Sequence, residues 1–422
     1  MKILFITNKL PFPKNDGRKN ILMQYIETIK NIDSGIEIVN ASFIDDEVFI
    51  EQQPNEISKI IRLDQPKLLE KLFNLIWYTI LLRKWPLQVS MYYSRKTHRK
   101  IMDIMKGNDF THVVYDMVRV APYIPKETDA ELVMNYDDLL SLRYERQLEY
   151  INYIPSILGG VASYFPGFVN RVIGSKWLQK KILKFESKLL KKYEKEVAQQ
   201  FNHLVFTSPK ESNDFASVVK HKSSVGIPMA YNIENTIASR GNIMFNKVLF
   251  IGKMDIPHNV AAVLYFCEKI WPLVKKADNN LEFHIIGKNP IRAVRELEEK
   301  FEGVKVIGPV EDITSVMKQY SVFVAPLVFG TGIKTKVIEA LANGVPVVST
   351  HIGAEGINFK NGYNMYVSDN EEQFAEYILE LTHSENRNDE FSIKGKELVE
   401  QEFSTVSMTD KWKNILTQNK KY

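Results

Sequence analysis

The sequence predicts an α/β protein built from two doubly wound parallel sheets. Short continuous apolar runs alternate with amphipathic helical patterns along most of its 422 residues, which is typical of parallel strands covered by helices on both faces. The opening "MKILFITNKLPFP" also has a counterpart from position 247, "KVLFIGKMDIPHN". Each is an apolar run followed by a loop with proline and then a helical pattern. Because the chain is too long for one ordinary core, we expect two domains that begin alike, 1–235 and 236–402.

Composition and charge narrow the class of protein. Hydrophobic residues make up 45% and charged residues 25%, values typical of a folded chain. The net charge of +4 is small and no dense basic stripe is present, which argues against nucleic-acid binding. The single cysteine, Cys267, lies in an apolar-periodic run, so we expect a buried thiol in a reducing, cytoplasmic setting. The N-terminal apolar run is too short for a signal peptide or a membrane span and is predicted to form the first strand.

The elements of the second half follow one another regularly. The predicted strands are "KVLFIG", "LEFHIIG", "VKVIG", "SVFVAPL", "VPVVST" and "NMYVS". The predicted helices between them are "NVAAVLYFCEKIWPLVKKA", "IRAVRELEEKF", "EDITSVMKQY", "IKTKVIEALANG" and "EEQFAEYILELTHS". In such sheets ligands bind in the crevice beyond the carboxyl ends of the strands.

The first half has the same pattern with more interruption. Its predicted strands are "KILFIT", "IEIVNASF", "THVVYD", "AELVMNYD" and "HLVFTS". Helical insertions over 67–106 and 139–200 separate them, and the junction with the second half is predicted within 226–246, which is rich in turn formers.

Two segments combine aromatic and aliphatic residues with lysine and arginine. They cover 67–95 and 150–195. Such segments are typical of helices that lie at a membrane surface, but core helices with a basic solvated face have the same composition. Both interpretations stay open at this stage.

The stretch "FGTGIKTKVIEALANGVPVVST" predicts an anion site at the start of a helix. Gly330 and Gly332 allow a tight turn after a strand, and the free N–H groups of the next helix then face the loop. Lys334 and Lys336 add positive charge where a helix dipole disfavours it, a conflict that a bound phosphate would relieve. Glu339 is early enough in the helix to reach hydroxyl groups of a ligand. The alternative is that these lysines and this glutamate are ordinary surface residues.

These residues carry a resemblance to a known family. The pieces are "FIGKMDIPHNVAAVLYFCEKIWPLV", "FHIIGKNP", "VIGPVEDI", "VFVAPLVFGTGIKTKVIEALANGVPVVST" and "GAEGI". In that order they resemble the family-four class of retaining nucleotide-sugar glycosyltransferases, and in particular a bacterial polysaccharide-assembly subgroup. The resemblance implies the GT-B fold, in which two Rossmann-like doubly wound domains face a cleft. It also implies that a C-terminal helix, within 403–422, crosses back to the N-terminal domain.

The resemblance implies roles for individual residues of the C-terminal domain. Glu339 matches the second glutamate of the family's E-x7-E element, which binds the ribose. The first glutamate of that element would stand at Thr331, so the sequence departs from the family where the donor sugar is contacted. Lys253 matches the basic residue that binds the diphosphate. A second lysine that usually follows is missing, and we expect Lys334 or Lys336 to supply its charge.

The N-terminal domain matches less closely. Gly17 would let the backbone approach the donor diphosphate, and Arg18 would add a phosphate contact unless it is a plain surface residue. A family histidine at the end of a later strand is replaced by Asp116, which we favour as a cleft residue, while His112 is expected to be structural. Two further carboxylates end the next strand and either face the acceptor or serve as a helix N-cap and its neighbour. They are Asp137 and Asp138.

Taken together, these predictions give three groups of site residues and no metal ligands. The predicted catalytic residues are Lys253, Lys336 and Asp116. The predicted donor-binding residues are Gly17, Arg18, Gly252, Val310, Gly330, Thr331, Gly332, Ile333, Lys334 and Glu339. The predicted acceptor-side residues are Asp137 and Asp138.

The resemblance implies transfer of a hexosyl-type sugar from a nucleotide-diphosphate donor to a hydroxyl acceptor, with retention of anomeric configuration. The leaving diphosphate would be stabilised by lysines and helix N-termini, with no metal and no cofactor besides the donor. The expected partners are the nucleotide sugar, a glycan or lipid-linked acceptor and an anionic membrane surface. The expected location is the cytoplasm, with peripheral residence at the inner face of the membrane.

Two other functions remain open from the sequence. One is a nucleotide-sugar epimerase of related fold, which would convert its nucleotide sugar without any acceptor. The other is a catalytically silent scaffold of a glycan-assembly complex, which the missing first glutamate makes conceivable. A nicotinamide dehydrogenase is disfavoured because the first loop lacks the dinucleotide fingerprint.

Overall fold

The computed structural model describes residues 1–14, 17–44, 47–154, 175–231 and 242–417. Within these residues the chain forms two compact units. The first takes Met1–Leu142, Phe185–Ala230 and Thr405–Tyr422, and the second takes Arg143–Lys184 and Tyr231–Ser404. Arg143–Lys184 therefore belong to the second unit, whereas the sequence analysis placed this range in the N-terminal domain. Residues 232–241 of the predicted junction within 226–246 lie outside the described residues.

The first unit contains a parallel sheet of seven strands. Its strands are β1 (Lys2–Thr7), β2 (Glu37–Phe43), β3 (Lys59–Leu63), β4 (His112–Asp116), β5 (Glu131–Asp137), β6 (His203–Phe206) and β7 (Ser224–Gly226). They lie in the order β3-β2-β1-β4-β5-β6-β7. The five predicted strands are confirmed, and the two that the sequence did not predict, β3 and β7, form the edges. Their faces are partly exposed, so they lack the continuous apolar run that marks a central strand.

Helices on both faces accompany this sheet. They are α1 (Gly17–Ile32), α2 (Leu68–Asn74), α3 (Leu87–Ser90), α4 (Arg95–Lys106), α5 (Leu140–Glu149), α6 (Lys176–Ala198) and α7 (Pro209–Val219). Shorter helical pieces are the π-helical turn Leu75–Leu81 and the 3-10 turns Glu47–Gln52, Val118–Tyr123 and Ile151–Tyr153. The division between the two units falls within α5 and again within α6.

The second unit contains a parallel sheet of six strands, all of which were predicted. The strands are β8 (Met244–Ile251), β9 (Glu282–Ile286), β10 (Val304–Gly308), β11 (Tyr320–Ala325), β12 (Val347–Ser349) and β13 (Tyr366–Val367). Their order is β10-β9-β8-β11-β12-β13. The chain therefore builds outward from β8 in one direction and returns to its other side at β11, which is the arrangement of a doubly wound sheet.

The helices of the second unit connect these strands. They are α8 (Pro257–Tyr265), α9 (Trp271–Ala277), α10 (Arg292–Arg295), α11 (Leu297–Lys300), α12 (Ile313–Met317), α13 (Thr335–Ala342), α14 (Glu371–His383) and α15 (Glu385–Glu402), with a π-helical turn at Phe266–Ile270. Side-chain caps fix two of the starts: Asn370 accepts a hydrogen bond from the backbone of Gln373, and Ser384 accepts one from Arg387.

A last helix, α16 (Thr405–Thr417), returns to the first unit and packs on α1. Trp412 is fully buried and meets the ring of Tyr25 edge-on, with 5.2 Å between the ring centroids. The hydroxyl of Thr28 on α1 donates to the sulfur of Met408. The end of the chain thus forms part of the core of the first unit.

Cys267 lies in the core of the second unit, as the sequence predicts. Its side chain is fully buried in the apolar cluster between the sheet and α8, and this burial raises the pKa of the thiol far above its ordinary value. The thiol is therefore a packing group. Among the described residues no helix is both long and apolar enough to cross a membrane.

We predict that Trp412→Ala lowers the free energy of unfolding of the first unit by about 3–5 kcal/mol, because it leaves a cavity against α1. Chemical denaturation followed by far-ultraviolet circular dichroism measures the change. Asn414→Ala on the exposed side of the same helix is the control and should change stability by less than about 0.5 kcal/mol. Equal effects of the two variants would show that α16 contributes little to this core.

Candidate functional site

The sheet of the second unit has its topological switch point between β8 and β11. The loops that leave the carboxyl ends of these neighbouring strands run to opposite faces of the sheet, which opens a crevice where ligands bind in doubly wound folds. Gly252 and Lys253 begin the loop after β8, and the segment 326–334 follows β11. Most predicted donor-binding residues of this unit therefore fall at the switch point, whereas Val310 follows β10, two strands out from β8.

Close backbone approach explains the glycines at this edge. A Cβ on Gly252 would lie 2.9 Å from Nζ of Lys336 and 2.8 Å from Nδ2 of Asn259. A Cβ on Gly287, which follows β9, would lie 1.7 Å from the carbonyl oxygen of Gly252. Only a residue without a side chain fits at either position. The structure thus brings Gly252 and the predicted catalytic Lys336 into contact.

Lys336 is held in place by Asn259 and Phe250. Its Nζ donates to Oδ1 of Asn259 and lies 4.4 Å from the centroid of the Phe250 ring. Nδ2 of Asn259 in turn donates to the carbonyl oxygen of Lys253, at 3.0 Å. Burial, followed by the charge of Lys334, lowers the pKa of Lys336 to about 7, and Glu339 acts in the opposite direction. The ammonium lacks a carboxylate hydrogen bonded to it in the described structure, so an anion beside it would favour its charged form.

Lys334 makes different contacts from Lys336. Its side chain is buried, and Nζ donates to the carbonyl oxygens of Thr331, at 3.1 Å, and Gly332, at 2.6 Å. Gly332 has a φ of 65°, the left-handed conformation that a glycine adopts without strain. The amine of Lys334 therefore ties the loop 330–334 to itself. Of the two lysines that were predicted to supply the missing charge, Lys336 is the one aimed at Gly252.

Two arginines of α5 fix the same loop from outside. Nε of Arg143 donates to Oγ1 of Thr331 at 3.2 Å, and Nη1 of Arg146 donates to the carbonyl oxygen of Gly330 at 2.6 Å. Arg146 also forms a two-point ion pair with the carboxylate of Glu355. Thr331, at the position of the missing glutamate, is thus buried and bound to a guanidinium.

The pKa of His258, in the first turn of α8, reflects the positive charge around this site. Burial and then the positive charges of Lys336, Arg143 and Lys334 lower its pKa well below the ordinary value. Its imidazole is therefore neutral near pH 7 and lies edge-on to the ring of Phe329, with 6.5 Å between centroids. Three cations converge on one part of the unit, which is an electrostatic environment suited to an anionic ligand.

Glu339 lies on α13, one turn beyond Lys336. Its side chain is partly buried, and burial raises the pKa of its carboxyl while Lys336 lowers it. Beside it, the hydroxyl of Tyr231 donates to the carbonyl oxygen of Thr335 at 3.1 Å. Within the part of the chain that the structure describes, no side chain hydrogen bonds to this carboxylate, which leaves its oxygens available to ligand hydroxyls.

The remaining predicted residues of this unit lie around the same edge. Lys253 is half exposed, and its Nζ lies 3.7 Å from Oδ2 of Asp255. Ile333 is buried in the apolar cluster under the loop, and Val310 packs against that cluster from the end of β10. Lys253 and Val310 are therefore more accessible to a ligand than Ile333 is, whose contribution is limited to its backbone.

The predicted residues of the first unit form a charged cluster at the switch point of the other sheet. Arg18, at the start of α1, pairs with Asp116 at the end of β4 and with Asp137 at the end of β5, at 2.8 Å from the latter. Asp116 is fully buried and also accepts a hydrogen bond from Asn135. Asp116 is therefore the buried partner of Arg18 here, and its catalytic role stays a prediction.

The remaining residues considered for this unit are Asp138, Asp137 and His112. Asp138 is buried, whereas Asp137 is partly exposed and has a φ of 67°. His112 is buried at the start of β4, and burial lowers the pKa of its imidazole to about 4. His112 lies at the opposite end of the strand from Asp116, in agreement with the structural role expected for it.

Sequence reasoning missed four residues of the site. They are Arg143, Arg146, His258 and Asn259. Asn259 could have been noticed in the sequence, because it is an amide directly before the apolar run of α8, where a buried polar group needs a partner. The two arginines gave no such signal, because their contacts depend on where α5 packs. In the described residues no group of three or more His, Cys, Asp or Glu is placed to hold a metal ion.

Comparison with known proteins agrees with this geometry. Residues 246–384 match the family "Glycosyl transferases group 1". An uncharacterised 44.6 kDa protein of the cps region of Klebsiella pneumoniae is 21% identical over 398 residues, which are 90% of each chain. The poly(ribitol-phosphate) alpha-N-acetylglucosaminyltransferase of Staphylococcus aureus is 28% identical over 152 residues, which cover 34% of this chain and 30% of that enzyme.

Solved structures share the fold over nearly the whole chain. The crystal structure of TarM has a TM-score of 0.65 at 14% identity, with 99% of both chains covered. A second structure, of an S. aureus TarM variant in complex with fondaparinux, alpha-GlcNAc-glycerol and UDP, has a TM-score of 0.64. Residues 246–384 therefore match the glycosyl transferases group 1 family, and the chain as a whole has the GT-B fold.

Proposed function

We propose that the chain is a retaining glycosyltransferase, which moves a hexosyl-type sugar from a nucleotide-diphosphate donor to an acceptor hydroxyl in the assembly of a cell-surface polysaccharide or glycan. One observation carries the proposal. The ammonium of Lys336 is held by Asn259 against Gly252 at the switch point of a sheet whose residues match the glycosyl transferases group 1 family. A diphosphate is the ligand that this arrangement fits best.

The diphosphate would lie between the loop after β8 and the start of α13. Lys336 faces this space, the half-exposed ammonium of Lys253 is free to move toward it, and the first N–H groups of α13 point into the loop 330–334. A positive helix terminus together with two ammonium groups offsets the charge that develops on a leaving diphosphate. The phosphate contacts predicted for Gly17 and Arg18 of the first unit stay predictions.

The nucleoside and the sugar would occupy opposite sides of this diphosphate. Glu339 is proposed to accept hydrogen bonds from the two ribose hydroxyls, since its carboxylate is partly desolvated and near the start of the helix. Backbone groups at Val310 are proposed to meet the base. The donor sugar is proposed to lie at the loop of Gly330, Thr331 and Gly332, where Arg143 and Arg146 fix the backbone.

The chemical step exchanges one bond at the anomeric carbon for another. The bond from this carbon to the diphosphate oxygen breaks, and a bond to the acceptor oxygen forms on the same face. The acceptor hydroxyl gives its proton to the departing diphosphate. Lys336 and Lys253 act by stabilising the negative charge, and the proposal requires neither a metal nor a cofactor. Addition of a chelator should therefore leave the rate unchanged.

The names of the relatives support the proposed acceptor, and the proposed location rests on that acceptor. One relative is encoded in a cps region, another transfers N-acetylglucosamine to poly(ribitol-phosphate), and the TarM structure holds UDP. We therefore propose a glycan or lipid-linked acceptor, with Asp137 and Asp138 on the acceptor side, and choose UDP as the first probe. A cytoplasmic enzyme that rests on the inner face of the membrane would meet such an acceptor.

We predict that Lys336→Ala lowers kcat by about a hundredfold or more, because it removes charge stabilisation of the leaving group. Glu339→Ala should raise the KM for the donor by about tenfold to a hundredfold, because the proposed hydrogen bonds to the ribose hydroxyls are lost. A panel of nucleotide sugars, first screened by thermal stabilisation, would be assayed for transfer and hydrolysis, and nuclear magnetic resonance would report the anomeric configuration of the product.

Matched controls for these variants are Lys269→Ala and Glu302→Ala, which remove exposed groups of the same unit. Circular dichroism would verify that each variant is folded. Near-normal transfer by both site variants would contradict the site. Inversion of configuration would contradict the retaining mechanism, and conversion of a free nucleotide sugar without acceptor would identify an epimerase.

We further predict that UDP binding takes up a proton at about pH 8. Lys336 has a pKa of about 7 in the folded protein, so its amine is mostly neutral at that pH. A bound diphosphate favours the ammonium, and the pKa of Lys336 then rises through the pH of the measurement. Calorimetry in buffers of different ionisation enthalpy measures the uptake.

Lys336→Arg is the control for this prediction, because a guanidinium keeps its charge and does not titrate. This variant should bind UDP with less proton uptake than the wild type. The pH dependence of stability also follows from this shift. Folding lowers the pKa of Lys336 from 10.5 to about 7, so unfolding takes up a proton between about pH 7 and 10.5. The contribution of Lys336 to the free energy of unfolding therefore increases with pH across that window. Equal uptake by wild type and Lys336→Arg would show that another group titrates.

A further inference from the structure

The helical segment 68–82 of the first unit presents a large apolar surface to solvent. It comprises α2, the π-helical turn that continues it and the next residue. Nine large apolar side chains of this segment are between 46% and 81% exposed. We call them the apolar face; they are Leu68, Leu69, Leu72, Phe73, Ile76, Trp77, Ile80, Leu81 and Leu82. Single exposed apolar residues are ordinary, but a contiguous group of this size marks a surface that binds something.

The polar residues of the same segment point inward. Nδ2 of Asn74 donates to the carbonyl oxygens of Ser90, at 3.2 Å, and Tyr93, at 2.7 Å. The hydroxyl of Thr79 is hydrogen bonded to that of Ser90 at 2.7 Å, and both side chains are fully buried. The amphipathic order of a surface helix is therefore reversed: the polar side is fixed to the protein and the apolar side is left outside.

Basic residues stand at both ends of the apolar face. Lys67 and Lys71 lie at its beginning, and Arg83 and Lys84 follow its end. The segment 67–84 contains a single acidic residue, Glu70, and its carboxylate accepts a hydrogen bond from the backbone of Arg95. An apolar surface with cations at both edges matches the boundary between the acyl chains and anionic headgroups of a bilayer.

We propose that the apolar face docks on an anionic lipid bilayer and that the segment 68–82 lies in the plane of the membrane interface. Fourteen helical residues, Leu68 to Leu81, extend about 21 Å, which is shorter than the roughly 30 Å hydrocarbon core and excludes a span by this segment. Trp77 and Phe73, whose rings stack at 6.2 Å, would enter the acyl boundary. Lys67 and Arg83 would meet lipid phosphates.

The inference assigns the membrane contact to one of the two segments that the sequence singled out. In the other, residues 155–174 lie outside the described residues. Its described helix, α6, has one large exposed aromatic, Trp177, which is covered by the ammonium of Lys181 at 5.0 Å. The inference rests on the proposed membrane location for its biological meaning, but lipid binding can be measured without any sugar donor or acceptor.

Flotation with vesicles tests the proposal. The full chain would be mixed with phosphatidylcholine vesicles that contain about 30% phosphatidylglycerol, and with pure phosphatidylcholine vesicles. We expect binding to the anionic vesicles, weaker binding to the neutral ones and partial loss at high salt. The double variant Trp77→Glu with Ile80→Glu should lower the vesicle partition coefficient by at least about tenfold, because it removes two inserted apolar groups and adds charge.

The matched control is Val218→Glu with Ile393→Glu, which changes two aliphatic residues of similar exposure, 61% and 50%, outside the apolar face. This control should bind vesicles as the wild type does. Vesicle binding that is equal in the Trp77/Ile80 variant and the wild type, or no binding by the wild type, would overturn the proposal. A lipid-free dimer, seen by light scattering and abolished only by the Trp77/Ile80 variant, would also overturn it, because the occupant would then be a second copy of the chain.

The same variants separate this inference from the proposed function. Thermal stabilisation by UDP should be unchanged in the Trp77/Ile80 variant, since neither residue belongs to the donor site. A chain that binds vesicles through the apolar face but shows no stabilisation and no transfer with any nucleotide sugar would leave this inference standing and contradict the proposed function.

Discussion

The site of the second unit depends on one contact, the amine of Lys336 against the amide of Asn259 beside Gly252. An ammonium placed among Phe250, His258 and Lys334 has a large cost of desolvation, which is visible in its lowered pKa. The protein tolerates this cost because Asn259 supplies an oxygen and the aromatic ring supplies its negative face. The neighbouring glycines follow from the same contact, since no side chain fits between these groups.

Both sheets have charged groups at their switch points, but the balance of positive and negative charge differs between them. In the first unit Arg18 is neutralised by the carboxylates of Asp116 and Asp137. In the second unit the amine of Lys336 donates to the neutral amide of Asn259, with Glu339 one turn away. A neutralised cluster mainly fixes structure, whereas an incompletely neutralised one retains electrostatic free energy for a ligand of opposite charge. The amine of Lys336 is thus the less neutralised of the two charged groups.

The sequence predicted the fold class and every strand of the second sheet because buried parallel strands leave continuous apolar runs. It did not predict β3 and β7, since edge strands need no such run. At the site it predicted Gly252, Lys336 and Glu339 as neighbours, through a loop, a helix and a family pattern. It could not separate the tasks of Lys334 and Lys336, which depend on the left-handed turn at Gly332. Arg143 and Arg146 could not be predicted at all, because their contacts depend on how α5 packs against the loop 330–334.

The reversed helix of the first unit shows why composition alone left its role open. The basic and apolar residues of 67–84 fit a core helix and an interfacial helix equally well, and the choice depends on which side the body of the protein covers. Asn74 and Thr79 decide it: their hydrogen bonds to the backbone and hydroxyl of Ser90 anchor the polar side inward. Rotation of the helix to bury the leucines would break the hydrogen bonds of the Asn74 amide and the Thr79 hydroxyl. This would cost free energy, because Ser90, which is the partner of both groups, is buried and would be left unsatisfied. The same polar contacts that fix the segment to the protein therefore hold its apolar face toward solvent.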